Sequence, residues 1–185
     1  MAGRVHPFTP ESLTGPQREL YDAIAGGPRA QGPQHFALTR GDGSLRGPFN
    51  ALLLAPGLGA ALQDVGTAIR YRGALTDRVR EIAILLVATR WNSAFEREAH
   101  EAVGAAAGLT DAELSCLRDA DLSAFSGDEG LVARVTTALL DGDLDDDLWD
   151  EASSVLGPEM VFELTVLVGY YATLALQLRV FRVEA

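Results

Sequence analysis

The chain has 185 residues, 48% of them hydrophobic and 22% charged, with 15 basic residues against 26 acidic ones for a net charge of −11. This is the composition of a globular chain long enough to bury one core, and it excludes a disordered or fibrous protein. The acidic balance argues against nucleic acid and against anionic membranes, both of which are met by Lys and Arg; its plain meaning is a solvated surface.

Residues 1–15 read as an irregular arm. With Arg4, His6 and two prolines and no apolar segment, its start does not resemble a signal peptide. Pro16 stands just inside a helix expected to run to about Ala25, where Gly26 and Gly27 stop it. Residues 26–48 are crowded with Gly and Pro and have no apolar period, so they form a long loop. Such a loop is expected to wrap a neighbouring subunit or close over a pocket. Phe49 to Leu54 is a short apolar turn or helix, and Pro56 opens a helix to about Tyr71.

Thr76 can cap a helix with Val79, Ile82, Ala83, Leu86 and Val87 on one face. Asn92 or Ser93 can cap the next, which passes through His100 to about Ala107 and ends at Gly108. Thr110 to Glu113 and Ser126 to Glu129 read as two capping boxes, each starting a helix. The acidic patch from Asp141 to Asp147 is a loop and helix start, where carboxylates favour the positive end of the dipole. Gly157 and Pro158 break the chain before a last helix over about Glu159 to Phe181. Its most apolar part, Leu164 to Leu176, falls short of the roughly 20 residues a membrane span needs and is read as a buried helix. No run alternates long enough to build a sheet. The expected fold class is therefore all-α, as one structural domain: residues 1–48 supply an arm, a short helix and a loop, and residues 49–185 a helical domain.

The single cysteine, Cys116, excludes an intramolecular disulfide, fits a cytoplasmic location, and is expected to be a small buried hydrophobe. The three histidines are scattered without metal-ligand spacing, and no metal is expected; His6 and His35 are read as solvent-exposed. One window carries chemistry. Glu96 and His100 are four residues apart and share a helix face. A carboxylate beside an imidazole makes a workable acid/base pair. Glu81, on the preceding helix, can approach the same point across an antiparallel pair. The plain alternative is a solvated ion pair.

The same window resembles a known family. In the alkylhydroperoxidase D-like superfamily a Glu is followed at +12 and +15 by a Cys-x-x-Cys pair and at +19 by a His; here Glu81 is followed at those offsets by Ser93, Glu96 and His100. The flanking words GPFNALLLAPGLGAALQDVGTAIRYRGAL (Gly47 to Leu75), REIAILLVATRW (Arg80 to Trp91), AAAGLTDAEL (Ala105 to Leu114) and ELTVLVGYYATLALQLRVF (Glu163 to Phe181) resemble its carboxymuconolactone decarboxylase branch. The resemblance covers about Phe49 to Val183. It implies a helical bundle of that type, associated as a trimer or hexamer with the site near a subunit interface.

Both family sulfurs are missing, so thiol peroxidase chemistry, which needs a nucleophilic and a resolving thiol, is not expected. The resemblance implies instead cofactor-free acid/base chemistry on a small anionic lactone or carbonyl compound, with decarboxylation leading. His100 would be the acid/base, Glu96 would orient it or share its proton, and Glu81 would support from behind. Arg72 and Arg80 are the chosen carboxylate partners, with Arg70 and Arg90 also available. Ser93, Trp91, Tyr71 and Asn50 are candidate pocket residues, although core packing or capping would also account for Trp91 and Asn50. The last helix of similar proteins often carries an Asn where this chain has Arg179. Two other readings stay open: an isomerase, dehydratase or hydrolase using the same residues, and a non-catalytic binding or assembly protein.

Overall fold

The computed structural model describes residues 3–31 and 35–183. Residues 32–34 of the predicted loop and the first two residues of the arm lie outside the described residues. The described chain is all-α: α1 (Gly15–Ala25), α2 (Pro48–Leu52), α3 (Pro56–Tyr71), α4 (Asp77–Trp91), α5 (Ala94–Ala106), α6 (Asp111–Arg118), α7 (Gly127–Asp141), α8 (Asp146–Val155) and α9 (Pro158–Phe181). Outside the helices, the loop before α2 folds back on itself through one antiparallel bridge, Thr39 to Leu45.

The centre is α4, which packs on α5, α6, α7 and α9. Its residues from Arg80 to Ala88 are buried without interruption. The expected single apolar face is thus a helix covered on every side. Seven consecutive apolar residues, Ile82 to Ala88, leave no polar position to mark an outward face. Against it, α7 and α9 contribute Val132, Val135, Leu164, Leu167 and Leu174, and α6 contributes Leu114 and Leu117. The N-terminal segment is more than an arm. Leu20 and Ile24 of α1 join Leu38, Leu45, Phe49 and Leu53 in a second apolar cluster, and Leu62 of α3 touches both this cluster and the main core.

Local signals fix several junctions. Thr76 accepts from the Val79 N–H, and Asp145 accepts from the Leu148 N–H at 2.8 Å. The Thr110–Glu113 capping box is formed. The second predicted box is not: Ser126 makes no cap bond, and Glu129 instead takes Arg78 at 2.7 Å. A full cation drew the carboxylate away from a backbone amide. Glu163 of α9 caps the turn after α3, accepting from the Ala74 N–H at 2.8 Å. Cys116 is half-buried rather than enclosed, because it sits at the edge of the short α6. By length and composition α9 could cross a membrane; half of its most apolar window is buried in the bundle.

Arg78 ties three elements together, reaching Glu113 on α6, Glu129 on α7 and the Gly108 carbonyl. Its hydrogen bond to Glu113, followed by the Thr110 N–H, holds that carboxyl at about 2 against an ordinary 4.5. A carboxyl whose pKa is depressed by folding stabilises the native state above its unfolded pKa and loses that contribution as the pH falls. Arg78→Met should therefore cost about 2 kcal/mol at pH 7, the worth of charge-assisted hydrogen bonds in a partly buried network. In urea unfolding, the gap between wild type and variant should shrink as the pH is lowered from 5 toward 2. A gap independent of pH would refute this account of Arg78.

Candidate active site

Within the buried stretch of α4, Arg80 and Glu81 are the only charged residues. Glu81 is 0% exposed and Arg80 4%, and burial on that scale demands partners. The partner of Glu81 is His100 on α5, whose Nδ1 lies 2.6 Å from Glu81 Oε2. The other oxygen, Oε1, is 3.5 Å from Arg80 Nε. Arg80 continues outward, with Nη2 on Asp77 at 2.7 Å and Nη1 donating to the Arg70 carbonyl at 3.3 Å. A row of alternating sign thus runs from the surface, Asp77, Arg80, Glu81, to a buried imidazole. The edge of the row's last ring meets Tyr171 of α9, with centroids 5.1 Å apart and planes at 86°.

Gly104, one turn beyond His100, lets α5 ride close over α4. A Cβ there would sit 2.8 Å from a Leu109 methyl, 3.6 Å from a Leu85 methyl and 3.7 Å from the Glu81 Cβ. A bulkier residue would push the two helices apart where Glu81 and His100 meet.

Burial by itself would raise the Glu81 pKa. The charge and hydrogen bond of His100, with Arg70 and Arg80 behind them, outweigh it and hold the carboxyl below its usual range. Glu81 is therefore ionised and can only accept, so Nδ1 of His100 carries the proton between them. In a neutral ring the lone pair then belongs to Nε2, which makes no hydrogen bond among the described residues.

Glu96 behaves differently. It is 2% exposed, and neither carboxylate oxygen has a hydrogen-bond partner. Burial pushes its pKa up to about 7, opposed by the neighbouring Ser93 hydroxyl, although the two do not reach hydrogen-bond geometry. The expected division of labour is thus reversed: the residue that orients His100 is Glu81, and Glu96, on the same face of α5, makes no hydrogen bond to the ring. A carboxylate on the facing helix meets the ring directly, whereas one a turn away along its own helix lies beside it.

Seven buried side-chain atoms among the described residues lack hydrogen-bond partners, and five of them belong to Arg80, Glu81, Ser93 and Glu96. Native interiors satisfy nearly all such groups, so this concentration singles the cluster out as the candidate site.

Two concavities flank the cluster along α5. One, of about 460 Å³, lies by its C-terminal half, lined by Arg70, Tyr71, Asp77 and Arg80 on one side, Val103 and Ala107 on another, and His35, Phe36 and Leu38 of the loop. The other, of about 200 Å³, opens at its N-terminus between Trp91, Ser93, Phe95 and Arg179. Glu81, Glu96 and His100 line neither; they are packed between the two. Among the described residues no group of three His, Cys, Asp or Glu side chains is arranged to hold a metal.

The remaining sequence candidates divide. Tyr71 and Arg80 face the larger cavity, and Trp91 and Ser93 the smaller. Arg179 donates to the Trp91 carbonyl and lies over its ring, 5.8 Å from the centroid, so it finishes the C-terminus of α4. Arg72 is exposed at the end of α3 and lines a separate groove with Phe162 and Glu163. Asn50 accepts from the Phe8 N–H at 2.9 Å and donates to the His6 carbonyl, which fastens the N-terminal segment, and it lies away from both concavities beside His100. The structure therefore brings neither Arg72 nor Asn50 to the Glu81–His100 pair: Arg72 reaches the Asp64 carbonyl of its own helix at 3.5 Å, and Asn50 holds the residues 6–8 segment. Arg70 was the under-valued residue, and its place ten positions before Arg80 across the α3–α4 turn was the available signal.

No protein-family model matches the chain, and no curated protein matches its sequence.

An acid whose pKa is raised by folding keeps its proton in the native state where the unfolded chain has lost it. Native stability then falls as the pH rises through that interval. For Glu96 the interval runs from 4.5 to about 7 and corresponds to roughly 3 kcal/mol. Glu96→Gln should match wild type near pH 4.5 and exceed it increasingly up to pH 7, by up to that amount, in denaturant unfolding. A variant no more stable at pH 8 than at pH 4.5, relative to wild type, would mean that Glu96 has a partner in solution.

Proposed function

We propose that the chain is a cofactor-free acid/base enzyme of the carboxymuconolactone decarboxylase type, acting on a small anionic lactone or carbonyl compound, with decarboxylation as the leading reaction. The observation that carries this reading is the 2.6 Å contact between His100 Nδ1 and the fully buried Glu81. It fixes the ring and its tautomer and leaves Nε2 as the group that exchanges a proton with substrate. In decarboxylation the bond from ring carbon to carboxylate breaks, its electron pair passes into the unsaturated lactone as a dienolate, and carbon dioxide leaves. The imidazolium returns a proton to carbon and is recharged from water. The ionised Glu81 stabilises the imidazolium, and Arg80 steadies Glu81 from behind.

The buried set favours this over a purely structural role. A binding or assembly protein that had only kept the fold would have every polar atom of the cluster satisfied, whereas Glu96 has none. Self-association, as a trimer or hexamer, belongs to the same proposal. It is supported by apolar side chains left on outer helix faces: Phe162, Leu176 and Val180 on one side of α9, and Leu58 and Val65 on one side of α3.

The test is carbon dioxide release from unsaturated γ-lactone carboxylates. His100→Ala should lower kcat by about a hundredfold or more, the usual worth of a positioned general acid/base. Glu81→Gln should lower it as well and change the pH profile, while KM moves little in both. Turnover without carbon dioxide would select an isomerase, dehydratase or hydrolase on the same residues. Undiminished turnover by His100→Ala would end the assignment.

A further inference from the structure

Three arginines lie near the α3–α4 turn, and they differ in what is left of their hydrogen-bonding capacity. Arg72 is exposed and points into another groove. Arg80 is buried and engaged: Asp77 takes Nη2, the Arg70 carbonyl takes Nη1, and Nε faces Glu81. Arg70, on the last turn of α3, is half-buried against the 460 Å³ cavity, and among the described residues its guanidinium makes no hydrogen bond or ion pair. It acts on Glu81 only through space.

A guanidinium presents a planar fork of donors that matches a carboxylate, and leaving that fork empty in a partly desolvated wall is unfavourable. The cavity has the size of a small-molecule site. Phe36, Leu38, Val103, Ala106 and Ala107 give the cavity a largely apolar wall, with Gln31 and His35 on its loop side. The other charges at the cavity are already matched, since Asp77 neutralises Arg80. Asp77 would also repel a second anion at that position. Among the described residues, Arg70 is the one guanidinium at this cavity left without a partner.

We propose that this cavity binds a small monocarboxylate with an apolar body, seated on Arg70, and that Arg70 rather than Arg72 or Arg80 sets the preference for a negative charge. The proposal rests on the acid/base reading in taking this cavity as the substrate's, since Arg80 joins it to Glu81 and His100. Selectivity follows from the wall: Asp77 disfavours a second negative charge, and a neutral ligand leaves Arg70 unpaired.

The probes are a saturated γ-lactone carboxylate, its carboxamide, and the corresponding dicarboxylate, titrated calorimetrically at constant ionic strength. On wild type the carboxylate should bind about tenfold or more tightly than the carboxamide, as a charge-assisted hydrogen-bond pair implies, and the dicarboxylate no better than the monocarboxylate. Arg70→Met should abolish the preference for carboxylate over carboxamide, and Arg70→Lys should restore part of it. Arg72→Met, which changes the net charge equally, should keep it. Unfolding curves verify that the variants are folded, and the lysine variant retains the test if the methionine variant is not. His100→Ala should keep the preference, so failure of the catalytic reading leaves this result readable. Equal binding of carboxylate and carboxamide, no binding of either probe, a preference that survives Arg70→Met, or one lost in Arg72→Met would each overturn the proposal.

Discussion

The fold is organised around a charge that has been buried in the middle of it. Helix α4 is covered by neighbours on every side, yet its first buried turn carries Arg80 and Glu81. An ionised carboxylate removed from water is tolerated only with close partners. Those partners are supplied from one direction each: His100 from α5 and Arg80 from α4 itself. Keeping them in reach dictates the spacing of the helices. Gly104 allows α5 to approach α4, and Arg80 leads the row of charges out to Asp77 at the surface. The apolar remainder of α4 anchors the arrangement in the main core.

What the pair stabilises, its surroundings undo in part. Glu96 and Ser93 lie buried beside it with oxygens that make no hydrogen bond, and the second oxygen of Glu81 meets Arg80 only at ion-pair distance. A sequence selected for stability alone would fill such positions with apolar residues of similar size. Local conflict of this kind, inside an otherwise well-satisfied helical domain, is the usual signature of a site. The cluster is packed between two concavities along α5, with Arg80 facing the larger and Ser93 the smaller.

Much of the helical layout could be read from the sequence because its punctuation is chemically explicit. Pro16, Pro56 and Pro158 open helices, Thr76, Thr110 and Asp145 begin them, and Gly108 and Gly157 close or separate them. The grouping of residues 81, 96 and 100 was legible for the same reason, since helix period and an antiparallel turn bring them near each other. Their pairing was not. Spacing alone puts Glu96 and His100 on one face, but whether a ring turns toward its own helix or a facing one depends on interhelical distance, which here hinges on Gly104. The fates of Asn50 and Arg179 were equally hidden, because each was decided by a non-local partner: the residues 6–8 segment and the Trp91 carbonyl. The second capping box failed through competition from Arg78, 51 positions away in sequence.

The account turns on which nitrogen of His100 faces Glu81. Long-range nitrogen–proton NMR correlation of the histidine side chains reads this directly, in the intact protein and without a substrate. The account predicts that neutral His100 holds its proton on Nδ1, with a strongly downfield Nδ1–H signal that disappears in Glu81→Gln. A ring protonated on Nε2, or a spectrum unaltered by removing the Glu81 charge, would contradict it.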